Sequence, residues 1–338
     1  MTRVGVVGLG MMGLTHLNVY RSLPNATIAA ICDADPDRLS GKVHALGNVE
    51  GQAQASVASL PAEVRRCTDI NDVIGADDID LVDICLPTHL HLRFGTQVLN
   101  AGQHLMMEKP LARTAADAQA LADAAADAKG LSFVGHCMRF WPGWDWLKEA
   151  LGESRYGKTY SATFRRVVNH PGGPFYENGD LCGGAALDLH IHDTDFVQFL
   201  FGMPKAVTSF GYSKITDQPD HIISRYEYDD VPLVVAEGSW AMTDGFSFNM
   251  SYTINCENAT LVFDLSKEQP LTVIEKGKEP THPELDPKMG YDFEIAYFLD
   301  CIEKGKKPET VTMLDGANTV RIVEAEIESV QTGKRVEL

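Results

Sequence analysis

The chain has 338 residues, a length that suits two domains, and its 44% hydrophobic and 22% charged residues are the balance of a globular protein with buried cores. Its 29 Lys and Arg against 47 Asp and Glu give a formal net charge of −18. That argues against nucleic acid as a partner, since phosphate backbones need clustered cations, and against anionic membrane surfaces.

No run of about 18 apolar residues predicts a membrane span. The opening MTRVGVVGLG leads straight into a strand rather than into a signal peptide. Seven cysteines, at 32, 67, 85, 137, 182, 256 and 301, are scattered, odd in number and without a CxxC pair. They predict reduced thiols and a cytoplasmic protein.

In chain order, Arg3–Val7 reads as a strand, Met12–Ser22 as a helix, Ala26–Cys32 as a strand and Pro36–Leu46 as a helix. A short helix over Asp69–Ile74 precedes an apolar strand at Leu81–Leu86, closed by Pro87. His89–Ala101 is helical up to Gly102, His104–Met107 a strand, Thr114–Lys129 an Ala-rich helix and Ser132–Val134 a strand. Short strands separated by helices predict a doubly wound parallel sheet over residues 1–135.

From residue 136 to 338 the pattern changes. Strands are expected at Gly157–Val168, Ala206–Tyr212, Ile222–Tyr228, Leu233–Trp240, Phe246–Asn255 and Ala259–Asp264, with few helices between them. This predicts a second α/β domain with a large, mostly antiparallel sheet, open on one face or covered by a partner. Helices are expected at Asp188–Leu200, Tyr291–Lys304 and Asp315–Thr332, the last able to pack back on the first domain.

Gly8-Leu9-Gly10-Met11-Met12-Gly13 fits GxGxxG. Alone that motif is weak evidence. Here it follows a strand, opens a helix and begins a βαβ unit, the setting of a Rossmann dinucleotide site. Asp33 stands twenty residues after Gly13, where a carboxylate accepts from the adenosine ribose and repels a 2′-phosphate. Ala34 follows instead of an arginine, so NAD is expected, while the nearby cation of Arg38 keeps NADP open.

Lys109 lies just past a strand end, where ligands gather in open α/β sheets. Further on, Gly183-Gly184 leads into a helix carrying Asp188, His190 and His192. On a regular helix Asp188 and His192, four apart, share a face that His190 does not. A histidine titrating near neutrality beside a carboxylate suits acid–base chemistry. His190/His192 and His89/His91 lack a third ligand at HExxH-like spacing, so no metal is expected.

Together these residues resemble the glucose–fructose oxidoreductase / inositol dehydrogenase / rhizopine catabolism family along nearly the whole chain. The landmarks are Val4–Gly10 with Gly13 and His16; Cys32-Asp33; Ile84–Thr88 with His91; Glu108-Lys109-Pro110-Leu111; Arg139-Phe140 with Pro142; Gly183-Gly184 with Asp188, His192 and Asp195; and Met313–Ala317. The resemblance implies a Rossmann domain followed by an α/β domain with a large open sheet. It implies catalytic roles for Lys109, Asp188 and His192, with the general base assigned to either His192 or Lys109. It places Gly8, Gly10, Met11, Met12, Gly13, Asp33, Arg38, Leu86, Pro87, Thr88, His91, Glu108 and Lys109 at the cofactor.

The implied activity is hydride transfer between NAD and a hydroxyl-bearing carbon of a small polyhydroxylated substrate (a sugar, a cyclitol or a derivative). The many strands and few helices of the second domain leave an apolar sheet face uncovered and predict a homodimer or homotetramer. Alternatives are NAD-recycling glycoside cleavage or epimerisation and a non-catalytic NAD sensor. His190 stands where the family often has glycine. Arg139, Trp141, His170 and Tyr176 are looser candidates for contact with substrate.

Overall fold

The strand–helix alternation at the start of the chain closes into one parallel sheet in the computed structural model of the protein, which describes residues 1–42 and 57–338. Its strands are β1 (Thr2–Val7), β2 (Ala26–Cys32), β3 (Arg65–Cys67), β4 (Leu81–Ile84), β5 (His104–Glu108) and β6 (Ser132–Gly135). They lie in the order β3-β2-β1-β4-β5-β6, every pair parallel. This is the Rossmann order, with its topological switch between β1 and β4.

The helices are α1 (Met11–Ser22), α2 (Pro36–Leu39), α3 (His91–Ala101) and α4 (Ala115–Ala126). Local chemistry sets their ends. The Asp35 side chain caps α2 by accepting from Asp37 N, and Thr114 caps α4 by accepting from Asp117 N. Gly102, at φ 81°, ends α3 in the left-handed conformation. The helix expected over Pro36–Leu46 stops at Leu39, and its residues 43–46 lie outside the described residues. Strand β3 has only three residues, Arg65-Arg66-Cys67, too short and too charged to show a period of two.

The second part of the chain holds α5 (Trp144–Gly152), β7 (Thr159–Asn169), α6 (Gly179–Cys182), α7 (Ile191–Phe201), β8 (Ala206–Tyr212), β9 (His221–Glu227), β10 (Leu233–Met242), β11 (Asn249–Cys256), β12 (Ala259–Asp264), β13 (Leu271–Glu275), α8 (Gly290–Lys304), α9 (Met313–Thr332) and β14 (Val336–Glu337). Eight of these strands form a sheet ordered β13-β12-β11-β7-β10-β9-β8-β14, antiparallel except for the β7–β10 pair.

One face of this sheet is core. Trp144 is fully buried on α5, with ring centroids 4.9 Å from Phe196 of α7, 5.3 Å from Tyr252, 5.8 Å from Phe164 and 6.1 Å from Phe263. Edge-to-face aromatic packing of this kind adds to simple burial. The other face is open, and Phe210 (69% exposed), Ile223, Leu233 and Ile274 stand out on it. The helix expected from Asp188 begins as an α-helix only at Ile191. Ala186–His190 form a π-turn, the short irregularity that recurs at functional sites.

The chain divides into two compact units. One is Met1–Cys137 with Tyr291–Ala317, and the other is Met138–Gly290 with Asn318–Leu338. In the first, α8 returns to the Rossmann core, where Phe298 stacks on Phe133 with centroids 5.1 Å apart. No helix among the described residues is long and apolar enough to cross a membrane.

Candidate active site

In the first unit the glycine loop is shaped by what a side chain would strike. Gly8 has φ 92°, and a Cβ there would lie 2.5 Å from the Cys85 carbonyl oxygen. A Cβ on Gly13 would run into the carbonyl oxygen of Gly8, so this glycine lets α1 approach β1. At Gly10 a Cβ would meet nothing within 4 Å, so the backbone there faces open space. Gly10 caps α1 without a side-chain bond, leaving the first N–H groups, beginning at Met11 and Met12, for another acceptor.

Asp33 closes one side of this cradle. It is 9% exposed; Oδ2 accepts from Leu9 N at 2.8 Å and Oδ1 from Asp35 N at 2.8 Å. The carboxylate therefore ties the glycine loop to the end of β2, with a face still open to solvent. Arg38 Nη1 is 3.6 Å from Asp33 Oδ2 and its side chain is 43% exposed.

Leu86, Pro87 and Thr88 follow β4, and Lys109 follows β5, half-buried, with its bond to Pro110 cis. His91, expected at the cofactor, is fully buried. Its Nδ1 lies 2.8 Å from Pro110 O and its Nε2 2.8 Å from Leu86 O. Both ring nitrogens are occupied by backbone, so the side chain braces these two loops instead of reaching a ligand.

Glu108 is likewise turned inward. It is 5% exposed, its Oε2 accepts from Lys109 N at 3.0 Å, and Oε1 is 3.1 Å from His16 Nε2. Burial alone would raise its proton affinity, but His16 and Lys109 outweigh burial and hold the carboxyl below its ordinary range.

In the second unit Gly183 (φ 81°) and Gly184 (φ 69°) turn the chain into the π-turn, and Ala186 N donates to Pro219 O at 3.2 Å. Asp188 and His192 are both half-buried, whereas His190 is fully buried. His190 Nε2 is 3.3 Å from the Tyr226 hydroxyl and 3.6 Å from Glu326 Oε2. Gly238 makes room for it, since a Cβ there would lie 2.5 Å from His190 Cβ.

Of the looser candidates, Arg139 is held inside this unit. It is 4% exposed, with Nε donating to Asp195 Oδ2 at 2.9 Å and Nη2 to Oδ1 at 2.7 Å, a bidentate pair. The fork expected at substrate is thus directed at Asp195. His170 Nε2 contacts Tyr176 O at 3.2 Å, its Nδ1 accepts from Gly172 N at 3.0 Å, and its ring meets Trp240 edge-on at 5.2 Å. Tyr176 packs on the same Trp240, and Trp141 is half-buried.

Sequence reasoning did not single out Asp220, which organises this wall. It accepts from the N–H groups of Lys214, Ile215 and Thr216, from Thr216 Oγ1 and from Trp240 Nε1. Burial opposes its charge, but these donors win and hold the carboxyl below its usual value. An isolated Asp in a loop carries no such signal: its backbone donors lie four to six residues before it in an irregular turn, and Trp240 Nε1 comes from β10, twenty residues on.

A glycine cradle backed by a carboxylate, on a 3-2-1-4-5-6 sheet followed by a second α/β unit, defines a dinucleotide-dependent oxidoreductase with a separate second domain. Comparison with known proteins agrees. Residues 2–136 match the oxidoreductase-family NAD-binding Rossmann fold, and residues 148–338 match that family's C-terminal alpha/beta domain. The chain belongs to this family, the glucose–fructose oxidoreductase / inositol dehydrogenase / rhizopine catabolism oxidoreductases.

It is 24% identical to an inositol 2-dehydrogenase of Rhizobium meliloti over 346 residues, covering 99% of both chains. It is 25% identical over 349 residues to a scyllo-inositol 2-dehydrogenase (NAD(+)) of Bacillus subtilis, covering 99% of this chain and 96% of that protein. In fold it matches a levoglucosan dehydrogenase solved in complex with NADH, with TM-score 0.86 and 20% identity over 99% of this chain and 98% of the other.

Proposed function

We propose that the protein is an NAD-dependent dehydrogenase acting on a hydroxyl-bearing ring carbon of a sugar, a cyclitol or a close derivative. The observation that carries this reading is the full-length likeness to dehydrogenases named for inositol, in a chain that carries Lys109, Asp188 and His192. The glycine loop fits the cofactor, because backbone at Gly10 faces open space beside uncapped helix amides. Gly8, Gly10, Met11, Met12 and Gly13 cradle the pyrophosphate, Asp33 takes the ribose, and Leu86, Pro87 and Thr88 line the remainder. When bound, NAD supplies the hydride acceptor.

On the protein side, His192 removes the proton from the substrate hydroxyl. Lys109 holds that oxygen and stabilises the negative charge that develops on it. Asp188 orients His192 and accepts from a neighbouring substrate hydroxyl. The scattered cysteines support a reducing, cytoplasmic setting.

The test is NADH formation by purified protein across a panel of inositols, sugars and sugar acids, run with NAD and NADP side by side. NAD-linked oxidation of at least one polyol is expected; failure across the panel, with NAD bound, would count against the dehydrogenase reading. In the same assay Asp33→Ala should weaken NAD and narrow the preference over NADP, because the ribose acceptor and the repulsion of a 2′-phosphate are both removed. Wild-type protein that prefers NADP would show that the Asp33–Arg38 pair has been misread.

The open sheet face supports a homodimer or homotetramer, with a second copy as its occupant. Phe210 on β8 pairs with Ile223 on β9 as the exposed apolar patch of this face, with Leu233 on β10 and Ile274 on β13 exposed singly elsewhere on it. Exposed apolar patches of this kind mark association surfaces, and closed two-fold symmetry is the commonest solution. Sedimentation should give a dimer or tetramer, and Phe210→Glu should shift it toward monomer. Monomer alone at micromolar concentration would end the proposal.

A further inference from the structure

His16 takes no part in the proposed chemistry. It lies on α1, directly after the glycine loop, and is fully buried. Its Nδ1 is 2.8 Å from Asp83 Oδ2 on β4, and its Nε2 is 3.1 Å from Glu108 Oε1 at the end of β5. The first contact is a hydrogen bond; the second is an ion-pair approach off the hydrogen-bond line. Glu108 then accepts the Lys109 N–H through its other oxygen. A continuous line of contacts therefore runs from Asp83 through His16 and Glu108 to the backbone of Lys109.

We infer that His16 is a positioning residue: by bridging Asp83 and Glu108 it holds the Glu108 carboxylate in place and so fixes the turn that carries Lys109. This rests on the reading that Lys109 works at the reacting carbon. An imidazole with carboxylate oxygens at both nitrogens is matched to them when both nitrogens carry protons. Burial opposes that charge, but the Asp83 carboxylate beside Nδ1 outweighs burial and holds the ring well above the ordinary histidine range.

The other groups facing the cluster agree. The Cys85 thiol is 3.5 Å from Nδ1 and stays neutral, raised by burial and by Asp83. Glu294 on α8 is fully buried, with neither carboxylate oxygen hydrogen-bonded. Burial and the Glu108 charge push it well above the carboxylate range, so it is held as a neutral acid. The Tyr291 ring lies 6.4 Å from the His16 ring, and burial keeps the Tyr20 and Tyr291 phenols protonated. One imidazole thus sits between the Asp83 and Glu108 carboxylates, a bridge a side chain with a single polar end cannot provide. His91 Nδ1 in turn contacts the Pro110 carbonyl, so the segment is held both before and after Lys109.

The experiment compares wild-type protein with His16→Asn and Glu108→Gln, the second keeping shape while removing charge, should the first fail to fold. Two readouts are taken: the rate at which an amine-selective reagent labels Lys109, followed by mass spectrometry across pH, and the separate kcat and KM for the polyol found in the panel.

Both variants should label Lys109 faster, as the turn loosens. His16→Asn should lower kcat about 10²-fold, the scale of a misplacement of about 1 Å, with KM and NAD affinity near wild type. Folded variants with unchanged labelling overturn the proposal, whatever happens to kcat. So does one equivalent of zinc in the purified protein that His16→Asn loses, since His16, Glu108 and Glu294 also converge as metal ligands would. If no polyol is oxidised, the dehydrogenase reading fails on its own, and the labelling still decides the role of His16.

Discussion

Lys109→Met, Asp188→Asn and His192→Ala should each leave NAD binding near wild type and lower turnover by orders of magnitude. In the proposed site the Gly8–Gly13 loop and Asp33 supply most of the hold on the cofactor, and of the three substituted residues only Lys109 reaches it, at its reacting end. Removing a general base costs about 10²–10⁴-fold in rate, and removing a group that stabilises developing negative charge about 10²–10³-fold.

His190→Ala is the control on the same segment. Its ring is fully buried against Tyr226, Glu326 and Gly238, so its loss should appear in stability before it appears in turnover. The measurements are kcat, KM and NAD affinity on folded variants. A dead His190 variant beside an active His192 variant would remove the assignment of the base.

Arg139→Met is expected to destabilise the protein by about 3–5 kcal/mol, because it leaves Asp195 as a buried carboxylate without its cation. The two side chains are 2% and 1% exposed, and Asp195 Oδ1 also accepts from Thr319 Oγ1 at 3.1 Å. Denaturant unfolding reads the effect. Replacing both partners, Arg139→Met with Asp195→Leu, should recover most of it, since apolar pairs often substitute for buried ion pairs at little cost. The opposite pattern, wild-type stability with a raised KM, would return Arg139 to the substrate.

The glycine loop, Asp33 and the strand–helix alternation were legible in the sequence because each is local. A glycine forced by φ 92° or by close approach to a carbonyl is written in a few consecutive residues. So is the carboxylate at the end of the second strand. The motif of Gly183, Gly184, Asp188 and His192 was also readable, as were six of the eight strands of the second sheet; β13 and β14, the short strands at its two edges, were not.

Pairings between distant segments were not legible. The π-turn at Ala186–His190 shifts the start of α7 to Ile191 and so removes the regular helix on which the four-residue spacing relied. The return of α8 to the Rossmann core depends on Phe298 meeting Phe133 across 165 positions (298 − 133), which no local period records. Arg139 was a looser candidate for substrate, and His91 was expected at the cofactor from the family resemblance. Only packing directed them to Asp195 and to the carbonyls of Leu86 and Pro110.

The sequence by itself thus determined the dinucleotide loop, the order of elements and the chemistry-bearing residue types, all set by short-range sterics and periodicity. Tertiary structure alone decided which polar groups face solvent and which are consumed inside. The cost of burying an unpaired charge forces each buried group toward whatever partner the fold brings near, however far away in the chain.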